Sequence, residues 1–371
     1  MLNMVIRLRV GHSLMELNRM GKRYFRSGTF SPPCFKAGIP KHARYKYTRT
    51  LVITRKKVEN VSWIEQQFGN GKDPYLSTAI FTVDAPVGSY VIPKNKGNEV
   101  MAYLSYIIGQ YHNLSDITIF MHAHSVAWHN NELLHGVSSN MIRRLSSPTV
   151  VRNGYFNMRC HWNPGCPHHT HPLGDEKMNK DKPETEIFKK SWRELFPEAE
   201  VPNVLTQPCC SQFALSRERI LALPRERYAS LRQWLLDTEL KDYLSGRVFE
   251  YLWQYIFTGV AEHCPAEHIC YRDGYGICFG GQQQYQYYFD LKKERDGLQK
   301  EIERIGPGEA QKIAMGVDWS KAGYRYLEVS RRMRTVDEEM VGLRKEAVER
   351  GKSPKNRAME CGRRWRKGDG F

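Results

Sequence analysis

The sequence predicts an α/β fold: a single mixed or mostly parallel sheet flanked by helices, with a helical C-terminal extension. Three observations carry this reading. From residue 50 onward, short apolar runs rich in β-branched residues alternate with stretches of helical periodicity, the order that builds an α/β sheet. One run, Ile117 to Met121, stops abruptly at His122, His124 and His129. In an open parallel sheet the carboxyl end of a strand is where ligands bind. From Tyr285 the composition turns charged, with Leu291, Leu298 and Ile302 at seven- and four-residue steps followed by Ile305, the spacing of a helix or short coiled coil.

The elements follow in order. Thr50–Thr54 reads as a first strand, and Asn60–Phe68 as a helix that Asn60 or Ser62 caps. Ser77–Val83 is a second strand, with a short extended piece over Val87–Ile92. The turn Pro93–Glu99 opens onto a strong helix. There Val100, Tyr103, Leu104, Ile107, Ile108 and Tyr111 form one apolar stripe at three- and four-residue intervals. The strand Ile117–Met121 comes next, then a helix and turn over 132–150. Residues 172–190 read as a polar surface insertion, and Trp192–Phe196 as a short amphipathic turn. Residues 207–216 read as a strand region, with Arg217–Ile220 beginning a polar turn or helix. Tyr228–Leu236 and Val248–Phe257 read as two further helices. Fewer than three heptads fit after Tyr285, so that helix is expected to pack on its own domain.

The chain has 371 residues, enough for one large domain with extensions or for two domains. The expected organisation is a basic, poorly ordered arm over 1–48, an α/β core over 49–285, and a helical, basic extension over 286–371. The formal charge of +16 belongs to the ends: residues 1–50 carry +10 and residues 330–371 carry +6, which leaves the middle neutral. A nucleic-acid-binding core carries its own basic stripe, so that class is not expected for the core. No run approaches the roughly 20 apolar residues of a membrane span. Without a spanning or signal segment the expected location is cytoplasmic. The arginine-bearing, acid-poor N-terminus leaves a mitochondrial reading open, and a secretory-pathway reading also stands.

Several residues stand out for chemistry. If the third strand persists, alternation puts His122 and His124 on one face. With His129 they form a candidate metal set, since imidazoles are common site and metal ligands. Trp128 lies among them. Asn95, Gly97 and Glu99 sit where a helix N-terminus can meet a ligand. Glu250 falls within the almost wholly apolar helix Val248–Phe257, where a carboxylate is costly unless paired or functional; the alternative is an i+3 pair with Arg247. Arg217, opening the segment after the later strand, joins Asn95, Gly97, Glu99 and Trp128 as a candidate substrate contact. The nine cysteines do not make a small disulfide scaffold. Cys160–His171 carries several potential zinc ligands, but the spacing lacks paired C-x2-C units. A loop closed by Cys160 and Cys166, or solvated histidines, is the expected reading there. Cys209–Cys210 and Cys264, Cys270 and Cys278 are further bridge candidates.

Several of these stretches together resemble a known family. They are N-K-G-N-E-V-M-A-Y-L-S-Y-I-I (95–108), T-I-F-M-H-A-H-S-V-A-W-H-N (118–130), C-C-S-Q-F-A-L-S-R-E-R-I (209–220) and S-G-R-V-F-E-Y-L-W-Q-Y-I-F (245–257). Over about residues 50–281 the chain is similar to the fungal family called domain of unknown function 3431, a name that carries no established activity. At the level of fold it also resembles glycosyltransferases of the A-fold class. There a strand ends in an acidic motif that holds a divalent metal and the sugar-nucleotide diphosphate, and a later helix carries a basic carboxylate. The resemblance places His122-Ala123-His124 at the acidic motif and Glu250 at the carboxylate. Imidazoles suit Mn, Zn or Fe better than Mg.

The leading expectation is therefore a glycosyltransferase-like enzyme acting on a sugar nucleotide or related diphosphate, with a divalent metal (Mn, Zn or Fe). A metal-dependent enzyme of another class, such as a hydrolase, cyclase or oxygenase, is the alternative, because two histidines and a carboxylate also suit non-haem iron. A non-catalytic binding domain is the third reading.

Overall fold

A computed structural model describes residues 35–85, 90–167, 170–173, 185–306, 321–360 and 362–367. The N-terminal arm up to residue 34, part of the extended piece at 87–92 and residues 174–184 of the polar stretch 172–190 lie outside the described residues. The described chain forms two compact units, the first ending at Glu267 and the second beginning at His268.

The first unit is built on a mixed five-stranded sheet. The strands are β1 (Arg49–Arg55), β2 (Leu76–Thr82), β3 (Ile117–His122), β4 (Tyr155–Asn157) and β5 (Phe213–Ser216), in the order β2-β1-β3-β5-β4. β2, β1 and β3 are parallel, whereas β5 runs antiparallel to both β3 and β4. The chain leaves β1 for β2 on one side, then returns to β3 on the other. That reversal makes β1/β3 a topological switch point, and the crevice at their carboxyl ends is the usual ligand position in such sheets. The antiparallel register puts Phe213, the first residue of β5, opposite Phe120 near the end of β3. The segment entering β5 therefore arrives at the same edge as His122.

α1 (Ser62–Phe68) links β1 to β2. Asn60 accepts the Ser62 N–H at 2.8 Å just ahead of it, and Trp63, Ile64 and Phe68 are buried. α2 (Val100–Gln110) links β2 to β3, and eight of its eleven residues are buried. The predicted stripe is thus wider than one helix face, because α2 is covered by the sheet and also by α7 (Arg225–Asp237). An aromatic cluster ties these layers together. Tyr103 of α2 lies 4.7 Å from Phe120, 5.9 Å from Phe213 and 6.2 Å from Trp253, ring centre to ring centre. Leu51, Ile53, Ile119 and Met121, alternating with these core residues, are also buried. Both faces of the central strands are therefore covered, which is why their sequences are continuous apolar runs.

Several elements differ from the sequence expectation. The 132–150 stretch forms a 3-10 turn (Glu132–Leu134) and two helices, α3 (Ser138–Arg144) and α4 (Ser147–Asn153). Ser146 caps α4 by accepting the Thr149 N–H, with Pro148 in its first turn. The expected turn at Trp192 belongs to a longer helix, α5 (Thr185–Leu195). Phe188 and Trp192 drop into the core at 2% exposure each, one turn apart among charges that mask the pattern. α6 (Arg217–Leu221) follows β5 directly, with Ser216 as its capping residue. The expected helix Val248–Phe257 is broken into α8 (Asp242–Glu250) and α9 (Trp253–Thr258). Tyr251 and Leu252 sit at φ −87°, ψ −7° and φ −106°, ψ −15°, near the bridge region, and so end one helix and start another. Glu250 is consequently the last residue of a helix rather than an interior one.

The expected Cys160–Cys166 closure does not form, because Cys166 bonds to Cys264. The Thr206 N–H donates to Ala261 and the His263 N–H to Thr206, both across backbone. This pairing delivers Cys264 to the loop that carries Cys166. His168 and His169 of the alternative zinc reading lie outside the described residues.

The second unit is helical: α10 (Glu267–Tyr275, all but its first residue), α11 (Gln282–Ile305), α12 (Lys321–Gly351) and α13 (Pro354–Glu360). α11 and α12 run antiparallel along each other, burying Leu291, Val329 and Val336. Ion pairs Arg325–Glu301 (2.8 Å), Arg332–Glu294 (2.5 Å) and Arg295–Asp337 (3.1 Å) flank that seam. Such exposed pairs set register more than stability. The helix after Tyr285 thus packs against its own chain. Among the described residues no helix is long and apolar enough to cross a membrane.

Candidate functional site

The site lies at the carboxyl ends of β1 and β3, where the segment before β5 and the end of α8 converge. His122 is the last residue of β3 and keeps the strand's alternation, so it projects to the same side as Phe120. Its Nε2 lies 2.7 Å from the Cys210 carbonyl. A carbonyl only accepts, so Nε2 carries a proton, and the tautomer that can ligate does so through Nδ1.

The strand ends there, and the alternation ends with it. His124 therefore leaves the face of His122. It is exposed and reaches Glu59 at 3.6 Å. His129 returns to His122, with the two rings 5.0 Å apart. Burial, together with His122 and Arg159 nearby, pushes the His129 imidazole down to about 4, so it is neutral at neutral pH. Its Nε2 is buried and, among the described residues, has no hydrogen-bond partner.

The loop between these histidines is tightly held. Asn130 donates to Gly136 O at 2.9 Å and Ser138 Oγ at 3.0 Å, and Ser138 Oγ donates to His124 O at 2.7 Å. Gln212 crosses from the segment before β5: its Oε1 accepts the His122 N–H at 3.3 Å, and its Nε2 donates to Asn130 Oδ1 at 3.0 Å. Arg159 donates to His129 O at 2.6 Å and stands 5.4 Å from the Trp128 ring. Trp128 is 73% exposed, an aromatic face offered to solvent beside two imidazoles.

Glu250 approaches the same place from α8. Its Oε1 accepts the Cys210 N–H at 2.8 Å, and its Oε2 lies 3.4 Å from Arg247 Nη1. The side chain is 17% exposed. Burial raises the carboxyl above its ordinary value; Arg247 pulls it back, and Glu99 pushes it further up. Gln207 holds the backbone here by donating to Glu250 O at 2.6 Å, while its Oε1 accepts from Tyr155 OH at 2.6 Å. Cys209 and Cys210 are joined to each other as an adjacent-residue disulfide. Cys210 and Ser211 take positive φ, +89° and +48°. Cys209 Sγ, Cys210 Sγ and a Glu250 oxygen all lie within 4.8 Å of one another.

Glu99 acts on Glu250 electrostatically, as above. Gly97 has φ +72° and donates its N–H to Asp242 Oδ1 at 2.6 Å. A Cβ there would meet Leu235 at 2.7 Å, so Gly97 serves a tight turn that fixes the start of α8. Asn95 is exposed on the same turn. Arg217 is not brought to this site. It sits just past β5, at the amino end of β3, donating to Leu114 O at 2.9 Å and pairing with Asp116 at 3.5 Å. Asp116 also accepts from Thr48 N–H and Oγ1, both at 2.9 Å, and pairs with Lys41 at 3.3 Å. A cavity of about 120 Å³ opens at that end, lined by Lys41, Tyr47, Asp116 and Glu218 among others. That is below the roughly 300 Å³ of small-molecule pockets, and its Lys41 and Asp116 are paired to each other.

Sequence reasoning did not single out Gln207, Gln212, Arg159, Asn130 or the place of the Cys209–Cys210 pair beside Glu250. The adjacent cysteines were the one visible signal. The amides carry no pattern and gain meaning only from what they bridge.

A family model described as "Protein of unknown function (DUF3431)" matches residues 51–273. No curated protein and no solved structure matches.

Proposed function

The chain belongs to the family of proteins of unknown function DUF3431, and from that premise we propose that it is a glycosyltransferase-like enzyme acting on a sugar nucleotide or related diphosphate substrate. The observation that carries the proposal is the convergence of Glu250 and His122 on one residue, Cys210, at the carboxyl end of β3. Glycosyl transfer needs a base for the acceptor hydroxyl and positive charge for the departing diphosphate. Glu250 is the base: a buried carboxylate with a raised affinity for protons. It takes the acceptor's hydroxyl proton as that oxygen bonds to the anomeric carbon. The bond from that carbon to the diphosphate oxygen breaks, and the diphosphate leaves with the electron pair.

His129, neutral at neutral pH, does not itself supply the charge. A divalent cation would supply it, held by His129 Nε2, which is buried and without a hydrogen-bond partner among the described residues, and by the Nδ1 of His122, whose other nitrogen is anchored on Cys210 O. Such a cation, when bound, neutralises the diphosphate. His124 stands outside this pair. Trp128 offers its exposed face for stacking on a sugar or base. A panel of sugar nucleotides, with and without Mn²⁺, tests the reading by thermal shift and by release of nucleoside diphosphate. The wild type should be stabilised by at least one donor, and Glu250→Gln should bind that donor without turning it over. A flat panel for the wild type counts against the proposal.

The unpartnered His129 nitrogen also favours a second reading, a metal-dependent enzyme of another class on the same two imidazoles. Transfer of label to water rather than to any sugar acceptor would select it.

A further inference from the structure

Cys209 and Cys210 are more than a bridge beside the site. We infer that, once the bond between them is reduced, their two thiolates and the Glu250 carboxylate form a site for a thiophilic divalent cation such as Zn²⁺ or Cd²⁺, distinct from the imidazole pair. The three side chains already converge, with their ligand atoms within 4.8 Å of one another. Both sulfurs point the same way because they are now bonded. Breaking that bond requires only a small separation. With metal–sulfur distances of about 2.3 Å and tetrahedral angles, the two sulfurs would stand about 3.8 Å apart. Cys209 is 8% exposed and Cys210 more open, so the site has a buried wall and an accessible side.

Two further observations bear on this place. Glu250 is largely withdrawn from water, and its nearest cation is Arg247 at 3.4 Å, itself 49% exposed. Ser211, next in the chain and 3% exposed, has a hydroxyl with no hydrogen-bond partner among the described residues.

The chemistry balances in two steps. A dithiol reductant gives two electrons and two protons to the disulfide, yielding two thiols and its own disulfide. The two thiols then release two protons as they bind the cation together with the Glu250 carboxylate. Metal affinity is thereby gated by the redox state of the pair, and Glu250 cannot hold the cation and accept a substrate proton together. The loaded, reduced form is therefore the inactive form on the reading of Glu250 as base.

The test uses the full-length chain, reduced by a phosphine (which gives two electrons to the S–S bond and takes an oxygen from water to become its oxide, the two protons of that water going to the thiols) and titrated with Cd²⁺ alone. The thiolate-to-cadmium absorption in the ultraviolet reports binding without any activity assay. Cys209→Ser/Cys210→Ser loses Cys166–Cys264 to the reductant just as the wild type does, so the difference between them reports the adjacent pair. The expected result is one more Cd²⁺ bound by the reduced wild type than by the double variant, and no such difference before reduction. Glu250→Gln should weaken that extra site at least tenfold. Near-ultraviolet circular dichroism shows that each variant is folded. Equal stoichiometry in the reduced wild type and the folded double variant would overturn the inference. So would an unchanged affinity in Glu250→Gln. Because the readout is absorption, the metal site can fail while glycosyl transfer stands, or the reverse.

Discussion

Glu250, at the end of α8, accepts the backbone N–H of Cys210 at 2.8 Å, and the carbonyl of that same residue meets the His122 ring at 2.7 Å. A strand end and a helix end are thereby held through one peptide residue with positive φ.

Glu250→Gln keeps an oxygen for the Cys210 N–H but cannot take a proton. Turnover should fall by about 10²–10⁴, with folding intact. The raised carboxyl also sets a sign. In the folded state Glu250 binds its proton more readily than in the unfolded chain, so its contribution to stability is present at low pH and is lost as pH rises through its folded value. Denaturant melts across pH should show that loss in the wild type and not in Glu250→Gln.

His129 acts in the opposite direction. Its imidazole sits at about 4 in the fold against 6.5 ordinarily. The unfolded chain gains a proton first, so stability should decline as pH falls from about 6.5 to about 4 and level off below. His129→Gln should flatten that slope. If the slope is unchanged in this variant, the imidazole is not buried as described.

Reducing Cys166–Cys264 opens a loop of 98 residues. Chain entropy puts the stabilisation at about 4–5 kcal/mol. Cys166→Ser/Cys264→Ser should lower the melting temperature markedly. Disulfides persist in oxidising surroundings, so the wild type should also melt lower after reduction.

Trp128→Ala should leave stability within about 0.5 kcal/mol, since the ring is exposed, while weakening donor or acceptor binding by about 1 kcal/mol. Arg217→Ala should do the reverse. It unties the Asp116 cluster at the far end of β3, so stability drops and the Michaelis constant is unchanged. Paired melts and kinetics on the two variants separate site from scaffold.

Much of the fold was legible because β1, β2 and β3 are apolar runs and α2 carries a stripe long enough to read. His122 was visible for the same reason: a buried strand that stops at an imidazole announces an edge. Pairing it with His124 extended the alternation past the strand's last residue, and His124 instead meets Glu59. β4 has three residues and β5 four, too few for a period. The break between α8 and α9 has no glycine or proline to mark it, since Tyr251 and Leu252 supply it. The i+3 pair of Glu250 with Arg247 forms on one oxygen, while the other accepts the Cys210 N–H. The Cys209–Cys210 pair was visible as letters, but its place beside Glu250 depends on β5 running antiparallel, which local sequence does not state.

The most direct measurement is nucleoside-diphosphate release from a sugar-nucleotide panel, run with Mn²⁺ on wild type and Glu250→Gln in parallel. The account predicts release from at least one donor by the wild type, and a loss of about 10² or more in the variant with donor binding retained. Turnover by the wild type that survives undiminished in Glu250→Gln would contradict it.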